Sequence, residues 1–313
     1  MSRHPHRLTQ PAVDAPGSSH REASVERQEA SAERGPSPSA SDAKESLRLF
    51  YNSFTDYLSA VPEGHRSKFI NFGYADDQSP GRGVTGASEA LGHVNSARLV
   101  LETIGGCPLD GKDLLEVGCG RGGPIGVVLD RFPSVRRVVG LDLSSSAVEF
   151  CRSYLSRPNV HFEVGDAENL PFPDSSFDVV LNIESACHYP DVNAFYRSAF
   201  RVLRPAGHFL YSDSIDGDQV DHRLALLRGA GFTVESTRDV TANILRSSDE
   251  VAALRFSLMQ AAGMPTIAGP RWDSSKSIEE RMAHALCLPG TARYHRFARA
   301  EQVFVIWTLR KPE

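Results

Sequence analysis

The sequence predicts an α/β fold built on a mostly parallel, doubly wound sheet, and two observations lead to it. Between Leu114 and Val240, short β-type runs such as "LLEV" and "FDVVLNIES" alternate with helix-length stretches such as "VNAFYRSAFRVL". This alternation is typical of βαβ units, in which a helix connects each parallel strand to the next. The length of 313 residues suits one main domain, with room for a smaller appendage.

The beginning of the chain has a different composition from the rest. Residues 1–41 are rich in Ser, Ala, Pro, Glu and Arg and contain no aromatic side chain. Such a segment buries too little apolar surface to offset its ordering entropy, so we predict a disordered tail. Behind a cap at Ser41 or Asp42, Leu47 and Phe50 begin an apolar stripe at helical spacing. The folded domain is therefore predicted to span residues 42–313.

Two regions outside the alternating core are predicted to act as lid or cap segments, at about residues 42–95 and 241–290. The first contains "FINFGYADD", a Gly-rich and aromatic stretch that is typical of a loop over a site. The second reads as helices interrupted by prolines. Its apolar stretches "FSLMQAAGMP" and "RMAHALCLPG" fit a lid over a bulky substrate and a helix pair packed on the sheet equally well. The terminal "RFARAEQVFVIWTLRK" predicts one more strand, at the sheet's end.

Charge and cysteine content exclude several function classes. A net charge of −5 and a pI near 6.1 provide no basic field for nucleic acid or anionic lipid, so we expect a small-molecule acceptor as partner. The 5 cysteines are scattered and form no CxxC pair, which argues against a disulfide framework or a zinc site and favours the cytoplasm. No apolar run is long enough for stable membrane insertion. We expect a monomer or a homodimer.

The most informative motif is "LLEVGCGRGG", residues 114–123, directly after the first predicted strand. Gly118, Gly120 and Gly123 satisfy the dinucleotide spacing GxGxxG, but that match alone is weak. Glu116 argues against a dinucleotide, because it ends the strand where a pyrophosphate would lie. Two like charges about 4 Å apart cost about 1 kcal/mol in water and about 4 kcal/mol at an effective dielectric of 20. The same carboxylate favours a cation such as S-adenosylmethionine, while a glycine turn that holds nothing is the remaining alternative.

Acidic side chains also end the second and third predicted strands. Asp142 in "VVGLDLS" is suited to accept hydrogen bonds from ribose hydroxyls, or else simply caps the next helix. Asp166 in "VGDAENLPF" is suited to accept the adenine amino group, with Ala167 beside the ring. Together with Glu116, these acids predict a nucleoside site along one edge of the sheet.

These motifs carry a family resemblance. Residues 114–213, through "LLEVGCGRGG", "GLDLS", "GDAENLPF" and "FDVVLNIESACHYPD", resemble the class I S-adenosylmethionine-dependent methyltransferases. Within that family, "NIESACHYPD" is similar to sterol, tocopherol and phthiotriol-type methyltransferases, which act on lipids and polyketides. One departure is "RPAGHF", where Ala206 replaces a usual glycine and is expected to reshape the turn slightly.

The resemblance implies a Rossmann-like, doubly wound seven-stranded sheet with helical N-terminal and lid segments. It also implies S-adenosylmethionine as the cofactor. The cofactor-binding residues that it implies are Glu116, Gly118, Gly120, Asp142, Leu143, Asp166, Ala167 and Asn182.

The stretch "ESACHYPD" after the fourth strand holds the catalytic candidates, since active residues of open α/β sheets gather at the carboxyl ends of strands. His188 leads as general base for an O-methylation, because a neutral imidazole accepts a proton near pH 7. A packed or capping histidine is the alternative. Tyr189 is a lesser candidate, and Glu184 suits C-methylation of an alkene in a terpenoid-type acceptor, where it would stabilise a carbocation.

Two further interpretations concern the acids of "DSIDGDQVDH" and the class of function. These acids suit oxygen coordination of a divalent metal, but a solvated loop without a metal is the preferred interpretation. For function, a methyltransferase acting on an apolar natural-product, polyketide or lipid hydroxyl is preferred. Its competitor is a protein that keeps the fold and binds the cofactor without methyl transfer, since a fold does not establish chemistry.

Overall fold

A seven-stranded sheet forms the centre of the computed structural model, which describes residues 39–60, 64–76, 94–261 and 287–313. The strands are β1 (Asp113–Val117), β2 (Arg137–Asp142), β3 (Val160–Val164), β4 (Phe177–Ile183), β5 (Leu203–Asp216), β6 (Thr233–Asp239) and β7 (Gln302–Arg310). Nearly all of the predicted tail, and the lid residues 77–93 and 262–286, lie outside the described residues. The predicted fold class is confirmed.

The strand order β3-β2-β1-β4-β5-β7-β6 creates the site. Strands β1 to β5 run parallel to one another, and the chain reverses its direction of winding between β1 and β4. At such a switch point the connections leave the two carboxyl ends on opposite faces of the sheet, which opens a crevice. Glu116 of β1 is in register with Leu181 of β4, so the two strands end side by side at this crevice.

The terminal strand was predicted at the sheet's end, and that prediction is wrong. β7 lies antiparallel between β5 and β6, and β6 is the edge strand. The physical reason is burial on both faces: Phe304, Val305, Ile306 and Trp307 are consecutive and all buried. β6 is mostly exposed and carries charged side chains, as a strand at an edge should.

Eight helices are described around the sheet. They are α1 (Ala40–Ala60), α2 (Val94–Ile104), α3 (Gly123–Arg131), α4 (Ser145–Tyr154), α5 (Val192–Val202), α6 (Val220–Gly229), α7 (Thr241–Ala261) and α8 (Ala292–Ala298). Local caps begin several of them: the Ser144 hydroxyl accepts from the Ala147 amide before α4, and the Asp191 carboxylate accepts from Ala194 before α5. The helix predicted behind Ser41 or Asp42 is α1, and it begins one residue earlier than Ser41.

Alternation along the strands divides the core into two layers. Leu114 packs in the layer that includes α2, α3, α4 and α8, and Leu115 packs in the layer that includes α5 and α6. Because successive side chains of a strand point to opposite faces, Ser212 and Asp213 of β5 also face opposite layers. The Thr103 hydroxyl of α2 donates to Ser212 Oγ at 2.9 Å, whereas the Asp213 carboxylate contacts the α5 side.

The solvated loop expected at "DSIDGDQVDH" is not observed as a whole. Asp213 is fully buried inside β5, whereas Asp216, Asp218 and Asp221 are exposed. The reason is that β5 runs for 14 residues and pairs with β7 as far as Asp216. Within the described ranges, no cluster of His, Cys, Asp and Glu side chains is arranged to hold a metal ion. No described helix is long and apolar enough to cross a membrane.

Candidate cofactor site and active site

The loop after β1 needs glycine for two separate reasons at Gly118. Its φ of 74° lies in the left-handed region, which side chains with a Cβ rarely adopt. A Cβ at this position would lie 1.9 Å from Ser185 Oγ and 3.0 Å from the Tyr189 hydroxyl oxygen. The loop therefore passes directly against the residues that follow β4, and any side chain here would separate the two.

Glu116 is a buried acid with one carboxylate oxygen that accepts no hydrogen bond from the described residues. Its residue is 1% exposed, and its Oε2 has no hydrogen-bond partner among the described residues. Burial raises the pKa of Glu116 well above its usual value, and the neighbouring Cys151 and Asp142 raise it further. A buried acceptor without a partner costs free energy, so this position favours a ligand that brings a donor or a positive charge.

Asp142, at the end of β2, ties the glycine loop to the next turn. Its Oδ2 accepts from the Gly120 amide at 2.8 Å, and its Oδ1 accepts from the Ser144 amide at 2.9 Å. Burial raises the pKa of Asp142, and these backbone hydrogen bonds oppose that rise. Leu143 lies between Asp142 and Ser144 in the sequence and is half-buried. Each carboxylate oxygen has further acceptor capacity, which a sugar hydroxyl can use.

Asp166 follows β3 and caps a short turn, Ala167–Asn169. Its Oδ1 accepts from the Glu168 amide at 2.9 Å, and its Oδ2 forms an ion pair with Lys44 Nζ at 2.7 Å. Ala167 beside it is 8% exposed. The lysine comes from α1, so an element far away in sequence already contacts the acid that was predicted to recognise adenine.

Asn182, in β4, is fully buried beside β1. Its Nδ2 donates to the Val117 carbonyl at 2.8 Å and to the Tyr189 hydroxyl at 3.3 Å. Its Oδ1 has no partner in the described part of the chain. Asn182 and Glu116 thus each have an acceptor oxygen without a partner among the described residues, on adjacent strands and on opposite faces of the sheet.

The turn after β4 holds the catalytic candidates, and its two weaker ones have partners. The Phe72 amide donates to Glu184 Oε1 at 2.9 Å, and Glu184 has a φ of 50°. The Tyr189 hydroxyl is 2.7 Å from Ser185 Oγ, and burial raises the pKa of Tyr189 well above its usual value. Tyr189 therefore belongs to the contact with the glycine loop.

His188 ends the turn Ala186–His188. Its ring meets the ring of Tyr51 from α1 edge to face, with 5.9 Å between the centroids. Burial raises the pKa of Tyr51, and the charges of Cys187 and Asp142 raise it further. Tyr51 is thus close to both the cofactor side and the turn, which makes α1 a wall shared by the two halves of the site.

Arg121 is a functional candidate that sequence reasoning missed. It is 1% exposed, and it donates through Nε to the Ser67 carbonyl at 2.7 Å and through Nη2 to the Gly64 carbonyl at 3.1 Å. Its Nη1 reaches the Thr55 carbonyl of α1 at 3.1 Å. Burial lowers the pKa of Arg121 to about 10. Its position within a run of glycines was the sequence signal that could have identified it.

Lys44, Tyr51 and Asn52 of α1 were also missed, because nothing local marks them. The Ser144 hydroxyl donates to Asn52 Oδ1 at 2.7 Å, so Asn52 attaches α1 beside Asp142. Lys44 bridges Asp166 and Glu168. All of the predicted site residues lie along the carboxyl edge of β1 to β4, and α1 contacts that edge at several points.

Comparisons with known proteins identify relatives of this chain. A family model described as a methyltransferase domain matches residues 115–211. The chain is 35% identical over 182 residues to a fatty-acid O-methyltransferase of Mycolicibacterium smegmatis, covering 58% of this chain. It spans 65% of that relative, just under two thirds of its length. It is 33% identical to a phthiotriol/phenolphthiotriol dimycocerosates methyltransferase of Mycobacterium leprae, over 68% of this chain and 83% of the relative.

A solved structure supports the fold alone. The cyclase SpnF is similar with a TM-score of 0.62 and 23% sequence identity, over 85% of this chain and 96% of that one. That protein is named for a cyclisation and not for methyl transfer, so the reaction of this chain has to be inferred from its site.

Proposed function

The chain belongs to the class I S-adenosylmethionine-dependent methyltransferases, and we propose that it transfers a methyl group to a hydroxyl of an apolar lipid or polyketide acceptor. The observation that carries this proposal is the position of His188 at the crevice, against Tyr51 and directly beyond the glycine-loop contact. The relatives' names, which specify fatty-acid and phthiotriol acceptors, support an apolar acceptor. We propose the cytoplasm as its location, on the cysteine pattern.

The residues at the crevice fit S-adenosylmethionine. The unpartnered oxygens of Glu116 and Asn182 are acceptors, and they suit a ligand that carries an ammonium group and a sulfonium. A pyrophosphate would bring further negative charge to this place. We propose that Glu116, Asn182 and the loop at Gly118 and Gly120 hold the amino-acid part of the cofactor.

The nucleoside part is assigned to the neighbouring strand ends. We propose that Asp142 accepts from the ribose hydroxyls, with Leu143 beside them, and that Asp166 and Ala167 meet the adenine. Asp142 is pre-positioned by two backbone amides, so little ordering entropy remains to be lost on binding. Lys44 neutralises part of the acidic charge at Asp166, which suits a neutral base.

The protein's own contribution to the reaction is alignment, exclusion of water and removal of one proton. When bound, S-adenosylmethionine supplies a methyl group that its sulfonium already activates. We propose that His188 accepts the proton of the acceptor hydroxyl, while α1 and residues 67–76 cover the crevice. Glu184 accepts from the Phe72 amide and so fastens this cover, which is why O-methylation is preferred to C-methylation.

The cofactor half of the proposal is tested by calorimetry. S-adenosylmethionine and its demethylated product should bind, and NAD should not. Asp142→Ala should weaken binding by about 1–3 kcal/mol through lost charge-assisted hydrogen bonds. Tight binding of NAD, with no response to S-adenosylmethionine, would refute the cofactor assignment.

The acceptor half is tested with methyl-¹³C-labelled cofactor and three probes: 2-dodecanol, dodecanoic acid and farnesol. Farnesol carries both a hydroxyl and alkenes, so one NMR spectrum distinguishes a new methoxy carbon from a new carbon–methyl bond. We expect methoxy products from the two alcohols. Methylation of dodecanoic acid alone would contradict the hydroxyl assignment, because a carboxylate needs no base, and a carbon–methyl product would favour the C-methylation alternative.

A further inference from the structure

A chain of buried polar groups runs from α6 to the turn that carries His188. Arg223 Nη1 lies 3.4 Å from the Tyr196 hydroxyl of α5, which is 3.4 Å from the Tyr211 hydroxyl of β5. The Tyr211 hydroxyl donates to Asp213 Oδ2 at 3.3 Å. The Cys187 amide donates to the same Oδ2 at 2.7 Å, which is the shortest of these distances.

The middle members of this series of polar groups are shielded from solvent. Tyr196, Tyr211 and Asp213 are each 0% exposed. Both oxygens of Asp213 are used, since its Oδ1 accepts from the Ser214 amide at 2.8 Å. A buried carboxylate that accepts several donors is costly to bury and strongly directional, so such a group is seldom needed for stability alone.

The contact between Asp213 and the Cys187 amide matters because Cys187 lies in the turn that carries His188. Cys187 is the middle residue of the turn Ala186–His188, and His188 is the next residue. Within the turn, the His188 amide donates to the Ser185 carbonyl at 3.0 Å. The Asp213 carboxylate therefore holds the turn from the α5 side of the sheet, while Tyr51 contacts the His188 ring from α1.

We propose that Asp213 is a positioning residue for methyl transfer, which holds the imidazole of His188 at the crevice by accepting from the Cys187 amide. This inference rests on the proposed role of His188. Asp213 acts through the turn and touches neither cofactor nor acceptor. Tyr211, and through it Tyr196 and Arg223, orient the carboxylate in turn.

Other charged groups also surround the turn. Burial raises the pKa of Asp213, and its hydrogen bonds with Cys187 and Ser214 oppose that rise. Burial also raises the pKa of the Cys187 thiol, with Asp213 adding to the effect and Arg293 of α8 opposing it. The variants are therefore chosen to alter hydrogen bonding at Asp213 while leaving Tyr51, Arg293 and Glu184 in place.

The decisive variant is Asp213→Asn. An asparagine offers one acceptor oxygen and one donor group to two backbone amides, so either the Cys187 or the Ser214 amide loses its partner. Ser212→Ala is the matched control, since Ser212 is the adjacent residue of β5 and its side chain contacts Thr103 on the opposite face. Tyr211→Phe removes one hydrogen bond to Asp213 and preserves the shape of the core.

The readout that does not depend on activity is the ring-nitrogen NMR signal of His188, identified by its loss in His188→Gln. We expect Asp213→Asn to shift or split this signal, Tyr211→Phe to shift it less, and Ser212→Ala to leave it unchanged. An unchanged signal in Asp213→Asn would overturn the proposal. If Asp213→Asn fails to fold, Tyr211→Phe is the test, and an unchanged His188 signal in that variant would overturn the proposal.

Kinetics with 2-dodecanol provide the second readout. Asp213→Asn should lower kcat by about 10- to 100-fold, the usual effect of a misplaced catalytic group, with cofactor Kd within about twofold. A loss of cofactor affinity equal to the loss of kcat would mean a general structural role and would overturn the proposal. If no probe is methylated by the unmodified protein, the proposed function fails, whereas the NMR signal still judges the link between Asp213 and His188.

Discussion

The two halves of the crevice are built in different ways. On the cofactor side, Gly118, Gly120 and Asp142 are joined by short-range motifs and by backbone hydrogen bonds between neighbouring strand ends. On the acceptor side, His188 and Glu184 take their surroundings from distant parts of the chain, namely Tyr51 and Phe72. A site assembled from local motifs can be identified in a sequence, whereas one assembled from remote contacts cannot. Single substitutions show whether the halves respond separately.

The largest effect is expected at His188. His188→Ala should lower turnover of 2-dodecanol by about 10²–10⁴-fold, which is the usual contribution of a positioned base, and leave cofactor affinity nearly unchanged. Steady-state kinetics and calorimetry measure the two quantities. Near-normal turnover would refute the base role, and a loss of cofactor affinity would show that the two halves are not separate.

Gly118→Ala should damage both halves at once. The new Cβ would collide with Ser185 Oγ at 1.9 Å and would force a left-handed backbone on alanine. We expect cofactor affinity to fall by about 100-fold or more, since the strain and collision amount to several kcal/mol. Calorimetry measures the loss.

Gly126→Ala is the control for this prediction, because a Cβ at Gly126 of α3 would meet nothing within 4 Å. It should bind cofactor normally and gain up to about 1 kcal/mol of stability from its better helix propensity. Equal cofactor affinity in Gly118→Ala and Gly126→Ala would contradict the proposed close approach of the loop to Ser185.

Glu116→Gln should lower cofactor affinity and raise the stability of the ligand-free protein. Burial raises the pKa of Glu116 above its unfolded value, so its contribution to stability is present below the unfolded pKa and is lost as pH rises through the folded pKa. The ligand-free variant avoids this loss. It should therefore be more stable than the unmodified protein near pH 8, and the difference should be smaller near pH 5.

Cofactor affinity in Glu116→Gln should fall by about 10- to 100-fold, as expected for one lost hydrogen bond to a charged group. Thermal unfolding at the two pH values and calorimetry provide the measurements. A stability difference that is the same at both pH values would mean that the carboxylate of Glu116 is not the cause.

The smallest effect is expected at Ala206, at the start of β5 and far from the crevice. Its φ of 61° is left-handed, so Ala206→Gly should relieve strain and stabilise the protein by about 1 kcal/mol. Urea unfolding measures the gain. Ala225→Gly, at an exposed position inside α6, should cost about 1 kcal/mol and serves as the opposite control. Neither variant should alter cofactor or acceptor binding, and a change in either would show that β5 couples to the site.

Local pattern determined most of the fold and the cofactor half of the site. The apolar runs ending in Glu116 and Asp142 mark strands because burial on two faces demands consecutive apolar residues, whereas the run before Asp166 alternates, as a half-exposed edge strand does. The glycines mark a turn whose left-handed backbone side chains with a Cβ rarely adopt. Each of these signals is contained in a short stretch of sequence. They are therefore visible without knowledge of the tertiary structure.

Tertiary structure alone decided the rest. The insertion of β7 between β5 and β6, the burial of Asp213 and the contacts of Lys44, Tyr51 and Arg121 all join residues that are far apart in sequence. Asp213 illustrates the reason. Its neighbours in sequence are acids and a glycine that suggest a solvated loop, but pairing of β5 with β7 from His208 to Asp216 encloses it. Which distant segments meet depends on the packing of the complete core, and no short stretch of sequence contains that information.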